Sequence, residues 1–136
     1  MSCGIAAVLR ALAPQVRIYA AEIETAAPLA ASLAAGEPRA VEYQPSFVDG
    51  IGSKMVFPNM FEHARKLLDD SLVVTLNEAA QAMKFVAERN RIIVEGAAAC
   101  AVAAARSGRA GSGKTVAIVS GGNIDLDKFA QFVTQN

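Results

Sequence analysis

A chain of 136 residues has room for one average domain and hardly for two, and with 53% hydrophobic against 19% charged residues it is far from the polar compositions that stay disordered. Thirteen Lys plus Arg balance thirteen Asp plus Glu, so no overall field draws nucleic acid or an anionic membrane, and a basic-patch nucleic-acid binder is not expected.

In chain order, Ile5, Val8, Leu9 and Leu12 fall at helical spacing and Pro14 stops the run, which predicts a helix over 4–13. Residues 16–20 alternate and favour a strand, and 26–35 read as a helix closed by Gly36. A short strand is expected at 40–43, then a loop with Pro45, Asp49, Gly50 and Gly52. Residues 61–68 are helical in pattern and 71–76 form a compact apolar strand. Thr75 or Asn77 caps the next helix, which runs to about 89, with Thr75 and Glu78 at capping-box spacing. After an apolar link at 92–94, residues 96–105 form a helix of small residues, about half the roughly 20 residues that span a membrane. A flexible loop at 108–113 leads into a strand at 114–119, the turn Ser120-Gly121-Gly122-Asn123, and a last helix over 126–133 with Phe129, Phe132 and Val133 on one face. Strands separated by helices imply an α/β fold with an open, mainly parallel sheet and helices on both faces, in a single domain covering 1–136.

Cys3 and Cys100 form no CxxC pair and His63 is the one histidine, so a structural zinc site lacks ligands. The first fourteen residues have no basic start and Arg10 interrupts their apolar stretch, so no signal peptide is read there and a cytoplasmic location is expected. Residues 108–115, Gly-Arg-Ala-Gly-Ser-Gly-Lys-Thr, match the P-loop pattern GxxxxGK[ST], but a P-loop follows a strand and opens a helix, whereas this one follows a helix and feeds a strand. Nucleotide binding is the outlying alternative, and a flexible connection is the better reading.

Ser120-Gly121-Gly122-Asn123 has the right context for a ligand site, at the carboxyl end of a strand and before a helix. Its glycines would let a ligand approach the backbone, although an ordinary strand-to-helix turn reads the same way. Glu95 could be a partly buried carboxylate, or an acidic residue at a helix start interacting with its dipole, which is favoured. Glu22 and Glu24 could contribute to a cation site only with carbonyls and water, and a solvated loop is the alternative. His63, with no nucleophile arranged beside it, reads as a solvent-facing residue.

Five segments in order resemble one family. They are Met1-Ser2-Cys3-Gly4-Ile5-Ala6, then Ile18-Tyr19-Ala20-Ala21-Glu22, then Val48-Asp49-Gly50-Ile51 with Leu67-Leu68-Asp69-Asp70-Ser71-Leu72-Val73-Val74, then Ile93-Val94-Glu95-Gly96-Ala97-Ala98-Ala99, and last Val119-Ser120-Gly121-Gly122-Asn123-Ile124-Asp125. Together they resemble the carboxyl-terminal part of a fold-type II, pyridoxal-phosphate-dependent serine/threonine dehydratase, close to threonine deaminase and serine racemase, over nearly the whole chain. The resemblance implies part of a tryptophan-synthase-β-like cofactor domain, pyridoxal phosphate as cofactor, and a lyase reaction that releases ammonia and a 2-oxo acid from serine or threonine.

It also implies roles. Ser120 matches the serine whose hydroxyl faces the pyridine nitrogen, which, unlike a carboxylate, does not hold that nitrogen protonated and so suits β-elimination. Gly121 and Asn123 belong to the same turn, Glu95 matches a glutamate near the cofactor, and Asp49-Gly50 matches a loop beside the ring. Glu22 and Ala26 match two of three protein positions of a divalent-cation site in some members; the third falls on Pro28, which has no carboxylate. The family's amino-terminal half, with its cofactor-binding lysine, substrate-carboxylate loop and phosphate loop, has no counterpart here, and none of Lys54, Lys66, Lys84, Lys114 or Lys128 matches that lysine. The expectation is therefore a fragment inactive alone, with a homo-oligomeric partner or a complementing amino-terminal half, a small amino acid as substrate of the intact enzyme, and neither nucleic acid nor membrane as partner. The alternative is a non-catalytic oligomeric binding or complementation module.

Overall fold

A computed structural model describes residues 1–134. Its centre is a parallel pair of strands, β1 (Tyr19–Ile23) and β2 (Asp70–Val74), in the register Tyr19↔Asp70 through Ile23↔Val74. Side chains alternate across a sheet, and here the two faces bury different partners. Ala21, Ile23, Leu72 and Val74 face α4 (Leu76–Asn90), α5 (Gly96–Arg106) and α6 (Leu126–Thr134). Ala20 lies on the other side, against α1 (Ser2–Leu12), α3 (Pro58–Leu67) and Leu29 of α2 (Pro28–Ala35). The architecture is the expected α/β arrangement, with helices on both faces of a parallel sheet. Among the described residues, no helix is long and apolar enough to cross a membrane.

Helix α5 is the inner element of the larger core. Apart from Arg106 it carries no side chain bigger than valine, and Gly96, Ala98, Ala99, Cys100, Val102, Ala103 and Ala104 are all buried. Such small residues let Ala79, Ala82, Met83 and Val86 of α4 approach on one side and the sheet on the other. Overpacking such a tight contact is costly, because backbones must separate to admit each added methylene. Cys100 donates its thiol to the Gly96 carbonyl at 3.3 Å, and burial pushes its pKa up to about 12, so it serves as a core residue rather than a nucleophile. Both cysteines are free thiols.

The helices follow the expected boundaries within a few residues, and the local signals explain why. Gly36 closes α2 in the left-handed conformation, at φ +75°. Thr75 and Glu78 form the anticipated reciprocal capping box at the start of α4. The strands depart further. The first begins at Tyr19 rather than at 16, because Arg10 takes the Val16 carbonyl at 2.9 Å and pairing with β2 starts only opposite Asp70. Residues 40–43 make a single ladder-like bond, from Val41 N–H to the Lys54 carbonyl, and form no strand. Residues 114–119 carry a strand-like sequence but remain irregular and exposed, with Val116 82% accessible, because a strand exists only beside a partner and the described residues offer none.

One polar junction ties the smaller core together. Arg10 of α1 donates to the Leu67 carbonyl at 3.0 Å and to Asp69 at 2.7 Å, while Asp69 accepts the Ile18 N–H at 2.6 Å and returns its own N–H to the Ile18 carbonyl at 2.8 Å. A single carboxylate thus joins the entry of β1, the end of α3 and the body of α1. The Ile18 N–H, followed by the Arg10 guanidinium, holds the Asp69 carboxyl below its ordinary value of 3.8. Its folded pKa is depressed, so its contribution is fully present above about pH 4 and is lost as pH falls through the folded pKa. With a side chain 36% exposed, Asp69→Ala is expected to cost about 1 kcal/mol at pH 7. Urea midpoints at pH 7 and pH 2.5 check this: the gap between variant and parent should close at the lower pH, and an unchanged gap would assign the loss to packing instead of charge.

Candidate functional site

Glu95 sits at the N-cap position of α5 in extended backbone, yet its side chain makes no capping bond to its own helix. It reaches across to the turn that follows residues 114–120. The Glu95 N–H donates to the Gly121 carbonyl at 3.2 Å, and Glu95 Oε2 accepts the Asn123 N–H at 3.1 Å. The carboxylate lies so close to Gly121 that a Cβ there would collide with Glu95 Oε1. Gly122 is equally constrained, since a Cβ on it would meet the Ile93 carbonyl oxygen at 2.7 Å. The turn lies on the Ile93 backbone at Gly122 and against the Glu95 side chain at Gly121, so a side chain is forbidden by backbone at 122 and opposed by a movable carboxylate at 121.

Gly50 completes the cluster from a third segment: a Cβ there would stand 3.1 Å from Ala97 Cβ and 3.7 Å from Glu95 Oε1. The loop that carries Gly50 is anchored one turn earlier. Phe47 and Val48 cover Gly96, where a Cβ would come within 2.9 Å of each, and the Phe47 ring stacks on Phe132 of α6 at 4.2 Å between centroids. Glu95, Gly50, Gly121 and Asn123 are therefore brought together, and Ser120 stands beside them, exposed, with its hydroxyl making no hydrogen bond among the described residues. Sequence reasoning missed Gly96 and Phe47, and read Gly122 only as one of the turn's glycines without its contact with Ile93. Only the position of each next to a recognised motif residue hinted at them.

Glu22 and Ala26 belong to a different arrangement. Glu22 accepts the Leu29 and Ala30 N–H groups at 2.8 and 2.7 Å and the Ser71 hydroxyl at 2.7 Å, so its carboxylate serves as the anion at the start of α2. Ala26 is buried and gives its N–H to the Ile23 carbonyl at 2.9 Å. Glu24 accepts the Leu76 N–H at 2.7 Å, at the start of α4. Among the described residues, no three His, Cys, Asp or Glu side chains are grouped to hold a metal. His63 is exposed on α3. In the glycine loop at 108–113, Gly108, Gly111 and Gly113 adopt positive φ, but the loop leaves α5 and runs into irregular chain, with no helix beginning at Lys114. The convergent amides and dipole of a P-loop are therefore not assembled there.

Comparison with known proteins gives a consistent picture. The family model for pyridoxal-phosphate dependent enzymes matches residues 1–121. L-threonine ammonia-lyase of Thermotoga maritima is 33% identical over 133 residues, which are 97% of this chain and 33% of that protein. The catabolic L-threonine dehydratase of Escherichia coli is 33% identical over 132 residues, 94% of this chain and 40% of the relative. Among solved structures, the processed form of threonine deaminase isoform 2 from Solanum lycopersicum superposes with a TM-score of 0.88 at 28% identity, covering 98% of this chain and 40% of that one. Maize serine racemase gives 0.84 at 32% identity, covering 98% and 44%. The chain spans 33–40% of the length of these curated relatives.

The two adjacent glycines meet different obstacles, and alanine at each should separate them. At 121 the added methyl meets the flexible end of Glu95, which can swing away, so Gly121→Ala should cost less than about 1 kcal/mol. At 122 it meets backbone, so Gly122→Ala should cost about 2 kcal/mol or more. Urea denaturation of both variants reads the difference; equal losses would mean that the Ile93 carbonyl is not what constrains the turn.

Proposed function

The chain belongs to the pyridoxal-phosphate dependent enzyme family, and on that footing we propose that it forms the pyridine-nitrogen side of the cofactor site in a dehydratase that converts serine or threonine to ammonia and a 2-oxo acid. The observation that carries the reading is the meeting of Gly50, Glu95, Gly121 and Asn123 beside the unengaged hydroxyl of Ser120. Relatives named as threonine ammonia-lyase and threonine dehydratase support the choice of reaction.

Bound pyridoxal phosphate supplies an electron sink for the α-carbon of an amino acid. This chain's residues fit one end of that group. The missing side chains of Gly50 and Gly121 admit Ala97 and the Glu95 carboxylate, which pack the loops against one another, and Ser120, exposed beside them, offers a neutral hydroxyl to the ring nitrogen. A hydroxyl orients the nitrogen without fixing a proton on it, which moderates the sink and favours departure of the β-hydroxyl. The phosphate and lysine ends are not built here. Lys128 is paired with Asp125 at 3.2 Å, Lys84 lines a groove between α4 and α5, Lys66 lies exposed on α3, and Lys54 and Lys114 are exposed in loops.

On this reading the lysine and phosphate ends come from a complementing amino-terminal half, while a further copy in an oligomer could cover the site but brings no lysine that matches the family's. Exposed Ile92, Ile93, Val116, Ile118 and Val119, in the two segments that flank the site, support such a partner. Exposed apolar residues clustered at a site mark an interaction surface. Of the two, the complementing half accounts for both the absent lysine and the unpaired segment at 114–119.

The test is an assay of 2-oxo acid formation with pyridoxal phosphate present, for the chain alone and mixed with the amino-terminal portion of the Thermotoga maritima relative that this chain does not cover. No turnover is expected from the chain alone, and serine or threonine turnover from the mixture. Ser120→Ala should lower that turnover about tenfold, the equivalent of one hydrogen bond of about 1.4 kcal/mol. A mixture with no turnover, together with equal cofactor affinity in Ser120→Ala and the parent, would overturn the reading.

A further inference from the structure

From the way Glu95 forgoes its own helix, we infer that it is a positioning residue: its carboxylate holds the 121–123 turn so that the hydroxyl of Ser120 keeps its direction at the edge of the site. The inference rests on the reading of Ser120 given above. Three observations carry it.

First, Glu95 occupies an N-cap position without capping α5. Residues that cap their own helix are short, because the acceptor must reach only two or three residues along. A glutamate carries one methylene more, and here that length is used to reach Asn123, twenty-eight positions away. Second, Glu95 grips the turn at both ends, by its N–H on the Gly121 carbonyl and by its carboxylate on the Asn123 N–H, while the Gly122 carbonyl closes the turn by accepting from Ile124 at 3.0 Å. Third, no hydrogen bond directs Ser120 from the preceding side. Among the described residues, 114–120 make none and only Ala117 packs against the core, three residues earlier, so the nearest anchor to Ser120 is Gly121, whose carbonyl accepts the Glu95 N–H. The absent side chain of Gly121 is what lets the carboxylate lie this close.

A charge at the start of α5 acting only on the helix dipole is the competing role, and the two roles respond oppositely to conservative change. Glu95→Gln keeps the length and an acceptor oxygen but loses the charge; Glu95→Asp keeps the charge, can cap α5, and is one methylene too short for Asn123. The experiment is amide exchange and resonance assignment on the labelled chain without cofactor, with urea midpoints to follow global stability. Positioning predicts that Asn123 stays protected in Glu95→Gln and exchanges about tenfold faster in Glu95→Asp, that the Ser120 resonances move only in Glu95→Asp, and that the Glu95→Asp midpoint is unchanged or raised. Gly121→Ala, which pushes the carboxylate off the turn with Glu95 in place, should reproduce the Asn123 loss. Protection retained in Glu95→Asp and lost in Glu95→Gln would overturn the proposal in favour of the dipole role, and equal protection in both would overturn it outright. A pyridoxal phosphate titration of the parent chain with its complementing half is a separate readout: absence of binding there defeats the proposed function, while the exchange data still decide the role of Glu95.

Discussion

The close approach of α5 to α4 and to the two strands is the constraint on which the rest of the fold depends. Because α5 is built from glycine, alanine and valine around one buried cysteine, its axis lies nearer its neighbours than a leucine-rich helix could. That closeness fixes the height at which its first residues emerge. Gly96 must lack a side chain because Phe47 and Val48 already occupy that space, and Glu95, one residue earlier, is delivered to the end of the sheet beside the 121–123 turn. The core and the candidate site are thus consecutive parts of one helix, whose Ala97 already lies against Gly50.

The acidic residues show how a motif acquires a meaning that residue type alone cannot assign. Glu22, Glu24, Glu78 and Asp69 all accept backbone N–H groups: at the starts of α2 and α4, in the capping box, and at the entry of β1. Each of these backbone donors would otherwise stand unsatisfied, and a carboxylate is the strongest side-chain acceptor available. Glu95 follows the same rule at a greater distance, with the turn after residue 120 in place of a helix end. What reads in the sequence as scattered candidate ligands for cations is therefore largely a set of carboxylates committed to the protein's own main chain.

Legibility divides along the same line. The helices were readable because their signals are internal: the spacing of Ile5, Leu9 and Leu12, the Thr75–Glu78 box, the stop at Gly36. Strands are properties of pairs. The strand expected at 16–20 forms at 19–23 and the one expected at 71–76 forms at 70–74, where each has the other to pair with, whereas 40–43 and 114–119 have comparably apolar sequences and no ladder. For the site, the resemblance pointed to Ser120, Gly121, Asn123, Glu95 and Gly50, which the fold places side by side, but nothing in the linear order reveals that Glu95 turns away from its own helix. That contact depends on a glycine twenty-six positions later and on a backbone path set by α5.

The unpaired segment and the incomplete site share one cause on the proposed reading. Residues 114–120 are irregular, expose Val116, Ile118 and Val119, and end at Ser120, the residue offered to the ring nitrogen. A partner that supplied hydrogen bonds to this segment would bury Val116, Ile118 and Val119 and at the same time stiffen the approach to Ser120 from the side Glu95 does not reach. Burial of those three side chains, at about 25 cal/mol per Å² of apolar surface, would favour association, and the ordering that comes with it would lower the entropy of placing a hydroxyl on a ligand. Completion of the sheet and completion of the site would then be a single event. A turn already clamped by Glu95 before the partner arrives shortens that event, because only one side of Ser120 remains to be fixed.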